Sequence, residues 1–127
     1  MKSVTLLFPG QGSQYVGMGE NLQSTDMCKN VFNTADIALG FSISDICADG
    51  PEEKLKSTEF TQPAIVTHSI ALYEQLKNIL AKKEIKIDRV LGHSVGEYSA
   101  LVAAGAIRFE DAVKAVNLRG KYMQEAV

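Results

Sequence analysis

Apolar positions fall into two kinds of pattern along this chain. Val4-Thr5-Leu6-Leu7-Phe8 is a compact apolar run closed by Pro9-Gly10, the pattern of a buried strand and its exit turn. Pro9 to Gly19 is a glycine-rich loop. A helical spacing follows, with Leu22, Met27, Val31, Phe32, Ala35 and Leu39 predicted inward and Gly40 as the stop. Ser42 to Glu59 reads as short elements around an Asp49-Gly50-Pro51 turn. Thr61-Gln62-Pro63 is predicted to open a long helix, with proline at its first position. Its inward stripe runs Ile65, His68, Leu72, Leu76 and Ile79, and Lys82-Lys83-Glu84 ends it on the solvent side. Ile85 to Leu91 is a second strand, followed by a helix reaching Ala104 and capped by Gly105. A last helix starts at Phe109 and passes inward through Ala112, Val113, Val116 and Met123.

Two apolar strands separated by long helical stretches predict an α/β fold, a mostly parallel sheet flanked by helices. Two strands are too few for a finished sheet, and the last helical pattern meets no Gly, Asn or Pro before Val127. Both features read as the amino-terminal portion of a larger enzyme. The 127 residues suffice for one core. A net charge of −2 without a basic cluster excludes nucleic acid as a partner. Val4 to Phe8 is too short for a signal-peptide core or a membrane span, so no membrane is expected. Cys28 and Cys47 lack C-x-x-C spacing, which predicts free thiols in a reduced cytoplasmic setting.

The chemistry concentrates at Leu91-Gly92-His93-Ser94-Val95-Gly96-Glu97. G-x-S-x-G between a strand and a helix is the pattern of a nucleophile elbow, which lifts a serine hydroxyl to the sheet's carboxyl edge. The helix start adds backbone N–H groups and a positive dipole end, suited to a developing oxyanion. A plain serine N-cap would give the same letters. A second oxyanion donor in this architecture comes from a loop after an earlier strand. Phe8-Pro9-Gly10-Gln11-Gly12-Ser13-Gln14 is placed to supply one, pairing the Gln11 amide with that of Val95. Two such donors are each worth roughly 3 kcal/mol of transition-state stabilisation. A phosphate cradle is the weaker reading, because G-x-x-x-x-G-K-[ST] is absent.

The base is harder to find. His93 adjoins Ser94 and is expected to point away from it, as a pocket or structural residue. His68 lies on the apolar stripe of its helix, where a core or pocket-edge role fits better than catalysis.

Four motifs stand in order: Phe8 to Gln14, Thr61-Gln62-Pro63-Ala64, Gly92 to Leu101, and Arg119-Gly120-Lys121-Tyr122-Met123-Gln124. Together they resemble malonyl-CoA:acyl carrier protein transacylases and the acyltransferase domains of polyketide and fatty-acid synthases. The resemblance covers essentially the whole chain. It implies that Ser94 carries the malonyl group as an ester, and that the Gln11 and Val95 amides form the oxyanion hole. It implies that Arg119 holds the malonyl carboxylate, that Gln62 lines the same pocket, and that His93 is the motif histidine rather than the base. A planar guanidinium suits that carboxylate role on chemical grounds as well. The resemblance further implies no metal or cofactor, with malonyl-CoA and acyl carrier protein as partners. Family members are longer, take the catalytic histidine from a later segment and insert a small ferredoxin-like subdomain over the serine. Residues 1–127 therefore correspond to the amino-terminal part of the catalytic domain. Two other readings stay open at this point: a patatin-like serine hydrolase, and a non-catalytic fragment.

Overall fold

The computed structural model describes residues 2–127. Strand β1 (Ser3–Phe8) runs parallel to β2 (Lys86–Gly92). Between them lie helices α1 (Asp26–Leu39), α2 (Ile43–Asp49), α3 (Glu52–Lys56) and α4 (Thr58–Lys82), and α5 (Gly96–Ala103) and α6 (Phe109–Glu125) follow β2. The strands pair Leu6 with Val90, Leu7 with Leu91 and Phe8 with Gly92. Among the described residues they form a two-stranded sheet, so each strand pairs along one edge. Parallel sheets are normally covered on both faces. Here the face bearing Leu7 and Leu91 is open, with those side chains 75% and 55% exposed.

The core lies on the other side, where α4 packs against α1, α5 and α6. Phe32 of α1, Ile43 of α2, Leu55 of α3, Ile65 and Val66 of α4, and Val113 and Val116 of α6 are all buried there. Helix ends follow local chemistry. The Thr25 hydroxyl accepts from the Cys28 amide at 3.4 Å to open α1, and Gly40 closes it in the left-handed conformation at φ 79°. Leu22 falls outside α1, in a short 3-10 turn (Leu22–Ser24). Cys28, absent from the predicted inward set, is fully buried and its thiol donates to the Ala71 carbonyl at 3.4 Å. Cys47 is also buried and free, and desolvation, reinforced by the nearby Asp36, pushes its thiol up to about 12. Among the described residues, no helix is long and apolar enough to cross a membrane.

Helix α4 corrects the sequence expectation twice. It begins at Thr58, so Pro63 lies inside it instead of at its first position. A proline there leaves the carbonyl four residues back without its helical donor. That carbonyl belongs to Glu59, and the Asn117 side-chain amide of α6 donates to it at 2.9 Å. The predicted inward stripe is also only partly inward. Ile65 is buried, but Leu72, Leu76 and Ile79 are 45%, 37% and 45% exposed. The amino-terminal half of α4 is surrounded by other helices, whereas this stripe faces an open groove beside β1. Met123 of α6 is likewise 42% exposed instead of inward.

Candidate active site

Ser94 occupies the joint between β2 and α5 at φ 54°, the left-handed region that a side chain adopts only when its surroundings impose it. The imposing bonds are short-range. The Gly96 amide donates to the His93 carbonyl at 2.9 Å and the Glu97 amide to the Ser94 carbonyl at 3.0 Å. The His93 amide donates to the Phe8 carbonyl at 3.1 Å, which pins the turn to the end of β1. Ser94 is exposed, and no hydrogen bond within the described residues engages its hydroxyl.

Three glycines permit this packing. A Cβ on Gly92 would stand 2.0 Å from the Gly96 carbonyl oxygen, and one on Gly96 would stand 2.3 Å from that of Phe8. A Cβ on Gly10 would meet the His93 carbonyl oxygen at 2.6 Å. The Phe8–Gly10 backbone therefore lies directly on the 93–96 turn. Within these touching segments, neither the Gln11 amide nor the Val95 amide has an acceptor among the described residues. Val95 is buried at the start of α5, so its free N–H adds to the positive end of that helix. The loop itself is held by Ser13, whose hydroxyl donates to the Gly10 carbonyl at 2.9 Å. Gln14 holds it too, accepting from the Gly12 amide at 2.7 Å.

The second cluster joins α4 and α6. A Cβ on Gly120 would meet the Thr58 carbonyl oxygen at 2.6 Å, so the two helices cross backbone to backbone there. The crossing brings the Arg119 Nη1 within 2.9 Å of the Gln62 side-chain oxygen. Gln62 is 1% exposed, and its amide nitrogen donates to the Met123 sulfur at 3.2 Å. Both ends of Gln62 are thus engaged internally, which makes it the buried holder of Arg119. The Arg119 guanidinium carbon lies 5.6 Å from the centroid of the Tyr98 ring. Among the described residues the ion pairs are Lys77–Glu74 and Arg108–Glu110, so half-buried Arg119 has only neutral neighbours within ion-pair distance.

Among the described residues, neither histidine side chain hydrogen-bonds the Ser94 hydroxyl. The His93 ring nitrogen Nδ1 comes within 3.0 Å of a Cβ position on Gly10, placing the ring over that loop. His68 lines a groove of about 380 Å³ with Leu6, Phe8, Leu72, Tyr73 and Leu76, and its pKa is lowered by burial. Sequence reasoning missed Asn117 and gave no individual role to Tyr98 or Gln124, which it quoted only as members of motifs. Gln124 accepts from the Ser57 hydroxyl at 3.0 Å and the Glu59 amide at 3.1 Å, capping α4 from α6. Pro63 held the one signal for Asn117, because a helical proline orphans a carbonyl that something must satisfy.

An exposed serine in a tight turn between a strand and a helix, with an earlier strand's exit loop packed on that turn, is an arrangement shared with acyl-transferring enzymes. The sequence pattern of the acyl transferase domain matches residues 5–127, and the chain belongs to that family. It is 46% identical over its full length to the malonyl CoA-acyl carrier protein transacylase of Bacillus subtilis, covering 39% of that protein. It is 45% identical to the Escherichia coli K12 transacylase of the same name, covering 40% of it. Among solved structures, the Coxiella burnetii transacylase superposes with TM-score 0.91 at 43% identity, over 99% of this chain and 39% of that one. A malonyl-transacylase solved in complex with a type II polyketide acyl carrier protein gives TM-score 0.87 at 41% identity, over 100% of this chain and 40% of that one. The chain thus spans about two fifths of the length of these relatives.

Proposed function

We propose that this chain carries the nucleophilic half of a malonyl transfer from malonyl-CoA to the phosphopantetheine thiol of acyl carrier protein. The observation that carries the reading is exposed Ser94 in a left-handed turn packed on the Phe8–Gly10 backbone, with the Gln11 amide of that loop and the Val95 amide of the turn both unsatisfied. Ser94 attacks the thioester carbonyl as its proton passes to the base that the resemblance places in a later segment. The Gln11 and Val95 amides receive the oxyanion, and CoA leaves as a thiol by taking that proton back. The carrier thiol then attacks the malonyl-Ser94 ester and releases the serine, a ping-pong sequence. Arg119, charged and without a carboxylate neighbour, receives the free malonyl carboxylate, and Gln62 holds the guanidinium for it.

Names of relatives support both partners, since the relatives are malonyl CoA-acyl carrier protein transacylases and one is bound to a carrier protein. Family membership favours transfer to a thiol over the serine-hydrolase reading. The resemblance assigns the general base to a later segment of the family's longer members, consistent with a Ser94 hydroxyl that no histidine here engages. We assign residues 1–127 to the amino-terminal part of the catalytic domain, and the free thiols of Cys28 and Cys47 suit a cytoplasmic setting.

Intact mass after incubation with malonyl-CoA tests the reading. A malonyl adduct that maps to Ser94 and disappears in Ser94→Ala is expected. An adduct that survives Ser94→Ala would overturn the assignment.

A further inference from the structure

We propose that Tyr98 is a positioning residue that ties the Arg119 guanidinium to the helix bearing the nucleophile. The inference rests on reading Arg119 as the carboxylate-binding group. Tyr98 belongs to the first turn of α5, four residues beyond Ser94, and packs half-buried against the core. The Arg119 guanidinium lies over its ring at 5.6 Å from the centroid. The other tie of Arg119, to Gln62, leads to α4. Tyr98 therefore relates Arg119 to α5, whose start presents Ser94.

A malonyl group is gripped at two points, its thioester carbonyl and its terminal carboxylate, separated by one methylene. The span between Ser94 and the guanidinium must match that fixed length. An aromatic face suits the task because it attracts a cation without neutralising it. A carboxylate in the same place would occupy the fork that the substrate needs. The Tyr98 hydroxyl has no hydrogen-bond partner among the described residues, so the ring is the working part.

The test compares Tyr98→Phe, which keeps the ring, with Tyr98→Leu, which keeps apolar bulk and removes it. Loading of Ser94 from malonyl-CoA and from acetyl-CoA is followed by intact mass. In Tyr98→Leu the malonyl-to-acetyl loading ratio is expected to fall roughly 3- to 10-fold, with acetyl loading unchanged. Tyr98→Phe is expected to keep the ratio of the parent chain. The nuclear magnetic resonance signal of the Arg119 Nε–H, assigned by its loss in Arg119→Lys, supplies a readout independent of turnover. It is expected to be ordered and ring-shifted in the parent chain and in Tyr98→Phe, and to become mobile and unshifted in Tyr98→Leu. An ordered, unchanged Arg119 signal in Tyr98→Leu, or equal loss of both acyl groups, would overturn the proposal. Should neither acyl group load the parent chain, loading requires the base that the resemblance assigns to a later segment, and the Arg119 signal still decides Tyr98.

Discussion

The rim that carries Ser94 and the groove between β1 and the second half of α4 are built on opposite terms. At the rim, backbone touches backbone: Gly10, Gly92 and Gly96 each stand where a Cβ would fall within 2.6 Å of a carbonyl oxygen. Along the groove, Leu72 and Leu76 remain partly exposed, and Leu7 reaches the surface nearby. Geometry at the rim is set by the absence of side chains, and small changes have nowhere to go. Geometry along the groove is set by side chains that lack full neighbours, so changes there are absorbed. Precision is concentrated at the turn that carries Ser94 and the loop packed on it.

The largest effect expected from this contrast is at Gly96. Gly96→Ala drives a methyl into the Phe8 carbonyl, separating the loop after β1 from the serine turn. The expected cost is about 3 kcal/mol or more in urea denaturation. Gly40→Ala is the control, because its Cβ enters open space and only the positive φ of 79° is strained. That change is expected to cost about 1 kcal/mol. Equal costs at the two positions would show that backbone proximity is not what holds the rim.

The two halves of α4 sharpen the comparison at the level of side chains. Ile65→Ala removes a fully buried side chain and is expected to cost about 3 to 4 kcal/mol. Leu76→Ala, on the open half, is expected to cost about 1 kcal/mol. Denaturant midpoints with unchanged slopes give both values. A Leu76→Ala cost as large as that of Ile65→Ala would mean that the groove is filled in solution.

This asymmetry also explains what the residues disclosed in advance. The elements were legible because each carries its own punctuation: Pro9-Gly10 after β1, Gly40 after α1, Gly105 after α5. Ser94 was legible because its strand, turn and helix are contiguous. Periodicity identified the apolar face of α4 but not whether anything covers it, since coverage is a tertiary fact. Thus Ile65 is buried and Leu72, Leu76 and Ile79 are not. The start of α4 was misplaced because Pro63 satisfies a first-turn rule that an Asn117 side chain, 54 positions away in sequence, makes unnecessary. The Tyr98–Arg119 and Gln62–Met123 contacts cross between helices and leave no local spacing to read.

The smallest effect belongs to His68, at the edge of the groove. Burial lowers its folded-state pKa, so the unfolded chain binds the proton more readily. Its contribution to stability is full above the unfolded value of about 6.5 and is lost as pH falls from there through the lowered folded value. Because the ring is only half-buried, solvent screening keeps the effect under about 1 kcal/mol. Thermal unfolding at pH 7.5 and 5.5 is therefore expected to show a Tm drop of a few degrees that His68→Gln removes. A drop undiminished in His68→Gln would assign it to other groups. A rise in Tm on acidification that His68→Gln abolishes would mean the folded chain gives the imidazolium a partner that its place beside Leu72 and Tyr73 does not show. The groove would then be a more polar surface than its apolar lining suggests, and the contrast with the close-packed rim would narrow.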